Sequence, residues 1–417
     1  MKKVLMIAYY YPPLAGAGVF RTLKFTKYLP LFDFQPYVLT VKNPMYPLRD
    51  TTLVNEIPPE VKVFRTFSFE HKVLRAPRLL NINLKWFYIP DVNIGWIPFA
   101  VNIGTKIIRK ENIDIIFATA PIWTSLIIGF LLKKRTKKPL VIDFRDPWTD
   151  NAFVEYPTKL HECIERKIEE KIVAHADYIT VVSNLMKKNL VDRYPFSESK
   201  IEVITNGFDS DDFKILEIHE QANKFRVTHT GSIYGLRTAR PLLFALKELI
   251  KEKAGLSNKL EIIFVGSYGK ETPRLVKMLG LENIVKLFTY ASHEACLKIM
   301  LSSHVLLLLT TIEDPRAYSM VPGKLFEYLA SRKPILAITP ENGEAANLIK
   351  SLNAGRVVSP NNIKLIKETI FELFEKWERG ELPKITCDLS KYERKFLTQR
   401  LAQIFENVIS SNQKIEC

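Results

Sequence analysis

After the turn Asn206-Gly207 the chain starts its pattern over. Before the turn, short apolar runs at 4–9, 37–40, 61–65, 113–118, 140–143, 178–182 and 201–204 read as strands, and helical spacing occupies 19–29 and 160–174. After it, strand-like runs return at 225–229, 260–265, 285–288, 305–309, 335–338 and 355–358, with a helix over 239–252. Strand–helix alternation predicts parallel sheets with helices on their faces, because a parallel strand needs a crossover to return to its starting edge. The expected fold class is α/β, with two similar halves facing a cleft between them, where ligands prefer to bind.

Size and composition narrow the choice further. A chain of 417 residues is long enough for two or three domains. With 47% hydrophobic and 25% charged residues it is a globular sequence. No apolar run reaches the roughly 18 residues that cross a bilayer, and the longest, 122–132, is broken by Thr124, Ser125 and Gly129. Lys2, Lys3 and the apolar stretch 4–11 superficially resemble a short signal peptide. That stretch is β-branched and aromatic and ends in Pro12-Pro13, so it reads as a first strand and loop. The cysteines Cys163, Cys296, Cys387 and Cys417 have no CxxC or CxxH spacing, and the histidines form no HxH or HExxH cluster. The expectation is a reducing cytoplasm and no protein-bound metal.

The net charge is +15, and residues 1–200 carry 30 basic against 19 acidic residues. Such a field attracts phosphate, whether of nucleic acid, anionic lipid or a diphosphate. No helix-turn-helix, RNP or zinc signature supports a nucleic-acid partner. Between 67 and 110, Trp86, Phe87, Tyr88, Trp96 and Phe99 are mixed with Lys72, Arg75, Arg78, Lys85, Lys106, Arg109 and Lys110. This composition suits a membrane interface; an irregular insertion packed on its own domain is the alternative.

The stretch 318–335, YSMVPGKLFEYLASRKPI, carries the most chemistry. Pro322 predicts a helix start and Pro334 its end. Lys324 then sits in the first turn, where a cation is unfavourable by itself. The placement makes sense if an anion binds there, with Glu327 one turn deeper as an acceptor for hydroxyls. A phosphate beside a polyol describes a nucleotide sugar. A plain Lys324–Glu327 ion pair is the competing reading.

With the segments 12–21 (PPLAGAGVFR), 143–148 (DFRDPW), 176–183 (ADYITVVS), 204–209 (ITNGFD), 229–237 (HTGSIYGLR) and 321–335 (VPGKLFEYLASRKPI), the chain resembles GT-B-fold retaining glycosyltransferases of family 4 over nearly its whole length. DFRDPW and KLFEYLA are similar to the branch that builds bacterial surface polysaccharides. The resemblance implies an acceptor-side Rossmann-like domain at 1–205 and a donor-binding Rossmann-like domain at 206–385. It also implies a terminal segment, 386–417, whose helix crosses back to the first domain.

The resemblance implies roles residue by residue. Lys324 and Arg237 would face the departing diphosphate, with Arg240 as an alternative to Arg237. Gly231 and Ser232, with Ser319, Val321, Pro322, Gly323 and Leu325, would line the donor site. Glu327 would hold the ribose hydroxyls. Ser319 stands where the family carries the first glutamate of a pair, which puts the sugar in doubt; Glu313 and Asp314 are nearby acids. Gly16, Gly18 and Arg21 would approach the donor from the first domain, unless the glycines only shape a tight turn. Arg145 and Asp146 would meet the donor sugar or acceptor, or else form a buried Arg–Asp pair. Asp209-Ser210-Asp211 reads as a turn or cap, and His293 and His304 as structural. The implied donor is a nucleoside-diphosphate sugar, most readily a UDP-sugar. The implied partners are a lipid-linked or glycan acceptor and an anionic membrane surface, with no bound cofactor and no nucleic acid. A sugar-nucleotide epimerase or phosphorylase of the same architecture and a catalytically dead scaffold are the rivals.

Overall fold

The computed structural model describes residues 1–69, 88–214, 222–289, 291–310 and 313–416. Lys72, Arg75, Arg78, Lys85, Trp86, Phe87 and Cys417 lie outside them. The chain divides into two compact units, Met1–Asn206 with Arg394–Cys417, and Gly207–Glu393.

The first unit alternates β1 (Lys2–Ile7), α1 (Ala17–Tyr28), β2 (Phe34–Val41), β3 (Lys62–Thr66), α2 (Ile97–Lys110), β4 (Ile115–Ala120), α3 (Thr124–Thr136), β5 (Leu140–Phe144), α4 (Lys159–His175), β6 (Tyr178–Val181), α5 (Asn184–Arg193) and β7 (Ile201–Val203). Its sheet is parallel, in the order β3-β2-β1-β4-β5-β6-β7. All residues of β4 and β5 are buried, as expected of strands covered on both faces. The chain builds outward from β1 to β3, then returns to the other side of β1 as β4. That reversal leaves a crevice beyond the carboxyl ends of β1 and β4.

The second unit repeats the plan with α6 (Ser210–Lys214), β8 (Phe225–Thr230), α7 (Arg240–Glu252), β9 (Leu260–Val265), α8 (Glu271–Met278), β10 (Val285–Phe288), α9 (His293–Leu301), β11 (Val305–Leu309), α10 (Lys324–Ala330), β12 (Ile335–Ile338), α11 (Glu344–Ser351), β13 (Gly355–Val358) and α12 (Ile363–Glu378). The order β10-β9-β8-β11-β12-β13 puts the reversal between β8 and β11. The last helix, α13 (Arg394–Glu416), belongs to the first unit. Its apolar stripe seals one face of the first sheet: Leu397, Leu401 and Phe405 are buried, and the Phe405 ring meets Phe34 at 5.4 Å and Phe117 at 5.7 Å.

The basic aromatic stretch is partly structural. Trp96 is fully buried and donates its indole N–H to Thr66 Oγ1 at 2.7 Å, and Tyr88 is buried as well. Neither ring is available to a membrane. Phe67 and Phe69 remain partly exposed beside Phe99, and Lys106, Arg109 and Lys110 are exposed on α2.

Candidate functional site

In the second unit the reversal point is built from β8, β11 and α10. Gly231 follows β8 with φ 108°, a left-handed conformation that glycine adopts without strain. A side chain here would also collide with Lys324 Nζ and Cε, so the glycine is what makes room for the lysine. Gly266, with φ 135°, lets the next loop approach equally closely, since a Cβ on it would lie 2.7 Å from the Gly231 carbonyl oxygen.

Lys324 is half-buried, and its Nζ lies 3.3 Å from His229 Nε2. His229, at the end of β8, is 1% exposed, and its Nδ1 is 2.9 Å from the Leu307 carbonyl oxygen on β11. A carbonyl can only accept, so Nδ1 carries the proton and Nε2 offers its lone pair to the lysine. Burial, reinforced by the Lys324 and Arg237 charges, holds the imidazole well below its usual range, hence neutral. Burial, followed by the Arg237 guanidinium, pushes Lys324 down to about 7, against weaker opposing pulls from Glu327 and Cys296. Arg237, half-buried with its guanidinium 5.2 Å from the Tyr234 ring, is thus brought to the lysine. Arg240 is instead paired with Glu271 at 2.8 Å on the surface.

Tyr328 anchors α10 to the sheet. Its fully buried hydroxyl accepts from the Thr230 N–H at 2.9 Å and donates to the Leu307 carbonyl at 3.3 Å. The same carbonyl therefore orients both His229 and the helix that carries Lys324. Glu327 Oε1 lies 2.9 Å from His293 Nε2, so its close partner is this histidine, 34 positions away, rather than Lys324. His293, expected to be structural, is the residue that holds the Glu327 carboxylate. His304 is structural: burial brings it down to about 4, and its Nδ1 accepts from the Arg226 N–H.

Several expectations are corrected. The helix begins at Lys324 rather than Pro322 and is only 7 residues long, so its dipole is a minor feature. The Leu325 N–H is taken by the Pro322 carbonyl and the Leu325 side chain is fully buried, leaving neither for a ligand. Ser319 is fully buried, and Val321 nearly so. Pro322, with Arg237, Tyr318 and Met320, lines a shallow depression open to solvent. Gly323 has open space where a Cβ would project, and Ser232 is half-buried beside Gly231. Asp314 is bound to Arg316 at 2.6 Å, and Glu313 accepts from Ser359. Asp209 accepts from the Asp211 N–H at the start of α6, a capping contact.

In the first unit the expected ligand contacts turn inward. Arg21 is 1% exposed and grips Asp143 through two bonds of 3.0 and 2.8 Å, then donates to the Thr205 and Ile204 carbonyls. Asp143 also accepts from the Thr119 and Thr180 hydroxyls, both at 2.7 Å. Burial alone would raise its pKa, but the Arg21 charge and these bonds hold it below the usual range. Four of the five guanidinium N–H groups of Arg21 are thereby taken by the protein, and the side chain is buried. Arg145 donates to the carbonyls of Gly18, Ala120 and Pro121 and is 8% exposed. It braces the first turn of α1 against the end of β4. Asp146 is half-buried, and its charge supports the Arg145 guanidinium. Gly16, with φ 92°, caps α1, and a Cβ on Gly18 would press on the Tyr10 ring at 3.0 Å, so these glycines shape the turn.

Residues 59–212 match the family model described as Glycosyltransferase Family 4. No curated protein sequence gives a significant match. Among solved structures, sucrose-phosphate synthase from Thermosynechococcus elongatus is 14% identical with a TM-score of 0.63, over 100% of this chain and 98% of that one. WaaG, a glycosyltransferase involved in lipopolysaccharide biosynthesis, is 12% identical with a TM-score of 0.60, over 99% of both chains. A protein described as a UDP-N-acetylglucosamine 2-epimerase from Listeria monocytogenes is 14% identical with a TM-score of 0.60, over 98% of this chain and 96% of that one. At these identities the likeness is one of fold: the chain has the GT-B architecture of glycosyltransferases, two parallel α/β units with a final helix returned to the first.

Proposed function

We propose that the protein is a retaining glycosyltransferase that moves a sugar from a nucleoside diphosphate, UDP in the first instance, to a lipid-linked or growing glycan acceptor. The observation that carries the reading is the half-buried Lys324 at the β8/β11 reversal, held over Gly231 with Arg237 beside it. Leaving-group departure puts negative charge on the diphosphate, and fixed cations answer that charge best in a water-poor crevice. Glu327, steadied by His293 in the same unit, would accept from ribose hydroxyls. Arg237 also lines the depression beside Pro322, next to the lysine that would meet the diphosphate. On the retaining route the departing phosphate oxygen takes the acceptor's proton, so no strong protein base is needed.

The match at 59–212 and the fold shared with WaaG support surface-polysaccharide assembly as the setting. The basic first 200 residues would hold the enzyme near anionic lipid on the inner face of the cell membrane. Among the described residues no helix is long and apolar enough to cross a membrane. A thermal-shift panel of UDP-, GDP-, ADP- and dTDP-sugars tests the donor, since stabilisation follows mass action. A rise in Tm with one nucleotide that Lys324→Ala abolishes supports the site; no shift with any of them overturns it. The fold shared with the Listeria protein favours an epimerase as the second reading. Release of an isomerised free sugar without any acceptor would select it.

A further inference from the structure

The site described above holds an imidazole whose role the glycosyltransferase reading does not use. His229 touches both the β11 backbone and the lysine, and its tautomer is set by the carbonyl it must donate to. Its Nε2 lone pair is therefore permanently aimed at Lys324 Nζ. The groups that face the lysine from the surrounding elements are Arg237 from the loop before α7, Glu327 from α10 and Cys296 from α9. Of these, Glu327 is engaged by His293. The amine thus has a neutral acceptor at hydrogen-bond distance, a like charge nearby and a carboxylate already committed elsewhere. This arrangement holds the nitrogen in place without compensating its charge.

We propose that His229 is the positioning residue for Lys324, and that binding a diphosphate at this site draws one proton from solvent onto the lysine amine. The inference rests on the diphosphate reading of the site and adds its proton balance. Before ligand arrives, above neutral pH, the amine is uncharged: it donates an N–H to His229 Nε2 and keeps its own lone pair. When the pyrophosphate arrives, its charge favours the ammonium form: the nitrogen lone pair takes a proton from buffer, and the ammonium bridges His229 and the phosphate oxygens. The depressed titration of Lys324, near 7, sets the pH range in which this uptake is seen. Above that range the free site is mostly unprotonated, so affinity falls as pH rises, roughly tenfold per pH unit until the bound lysine itself titrates.

Two measurements test this. The first needs no ligand. The rate of acylation of Lys324 by acetic anhydride, followed against pH by peptide mass spectrometry, should show half-titration near neutrality. In His229→Phe an apolar ring replaces the acceptor, so the ammonium form loses a partner and the amine is more fully desolvated, and its titration should move further below that of the wild type. His229→Gln, which keeps an acceptor at similar reach, should stay close to wild type. A wild-type Lys324 that titrates like a surface lysine, or a folded His229→Phe protein that titrates like wild type, overturns the proposal.

The second is calorimetry of UDP-glucose binding in buffers of different ionisation enthalpy. Its pyrophosphate diester carries no proton of its own that titrates near neutrality. Uptake should be close to one proton per ligand at pH 8 and about half a proton at pH 7. Binding with no proton uptake at pH 8 defeats this inference alone and leaves the donor site standing. A Lys324 that titrates near neutrality, with UDP-glucose altering neither Tm nor acylation rate, defeats the nucleotide reading and diphosphate-coupled uptake together.

Discussion

The two units have the same strand plan and use it in opposite ways. Each sheet reverses direction beside its first strand, between β1 and β4 in one unit and between β8 and β11 in the other. Each reversal opens a crevice at the carboxyl edge, and each has a cation there. In the first unit the cation closes the crevice on itself. Arg145 spends its guanidinium on the carbonyls of Gly18, Ala120 and Pro121, while Arg21 is consumed by Asp143 and two further carbonyls. In the second unit Lys324 is half-buried, and the partner that orients it is a neutral imidazole. Topology creates the crevice; whether the cation there meets carbonyls and a carboxylate, or an uncharged ring, decides whether it remains available to a ligand.

The largest expected effect breaks the closed half of that contrast. Arg21→Ala strands Asp143 as an uncompensated buried charge, and losing one partner of such a pair costs about 3–5 kcal/mol. Chemical denaturation of the variant should show this loss; a change below about 1 kcal/mol would mean that the pair is not what seals the first crevice. Arg145→Ala comes next. It leaves carbonyls without their donor, at about 1–3 kcal/mol, and should lower Tm more than it alters the KM for the donor. A variant of normal stability with no turnover would return Arg145 to the substrate.

In the open half the order of effects inverts. Lys324→Ala and Glu327→Ala should each lower kcat/KM at least tenfold, about 1.4 kcal/mol of transition-state stabilisation, while the fold persists. Full activity in both variants would refute the site. A further test sharpens the contrast through pH. Folding lowers the Lys324 pKa from 10.5 to about 7, so between those values the folded protein binds fewer protons than the unfolded chain. Stability contributed by this group therefore rises with pH across that window, and the cost of holding a charged lysine is fully present below 7. Lys324→Met should raise the Tm of the ligand-free protein at pH 6, and the gain should shrink at pH 9. Equal gains at both values would show that the lysine does not titrate in this window.

How much of this was legible in the sequence differs between backbone and side chains. The run Val305–Leu309 is apolar at every position, which only a strand covered on both faces tolerates, and it is β11. The amphipathic stretch after Tyr392 is α13, extended to Glu416. KLFEYLA placed Lys324 and Glu327 on one short helix, and the structure keeps them there, although it starts that helix two residues later than Pro322 led one to expect. His229 left a faint signal, an imidazole two residues before a glycine loop at a strand end, but nothing local says what each ring nitrogen meets. His293 left none, because its partner Glu327 is 34 residues away. Arg21 read as a ligand-facing cation because its sink, Asp143, is 122 residues away.

Residue order alone determined the alternation of apolar and helical segments, hence two parallel sheets, because burial periodicity is a local property of the chain. Only the tertiary structure decided which cations were spent and which remained available. A guanidinium or ammonium takes whichever acceptors the sheet reversal brings within about 3 Å, and that proximity is made by strands far apart in the chain.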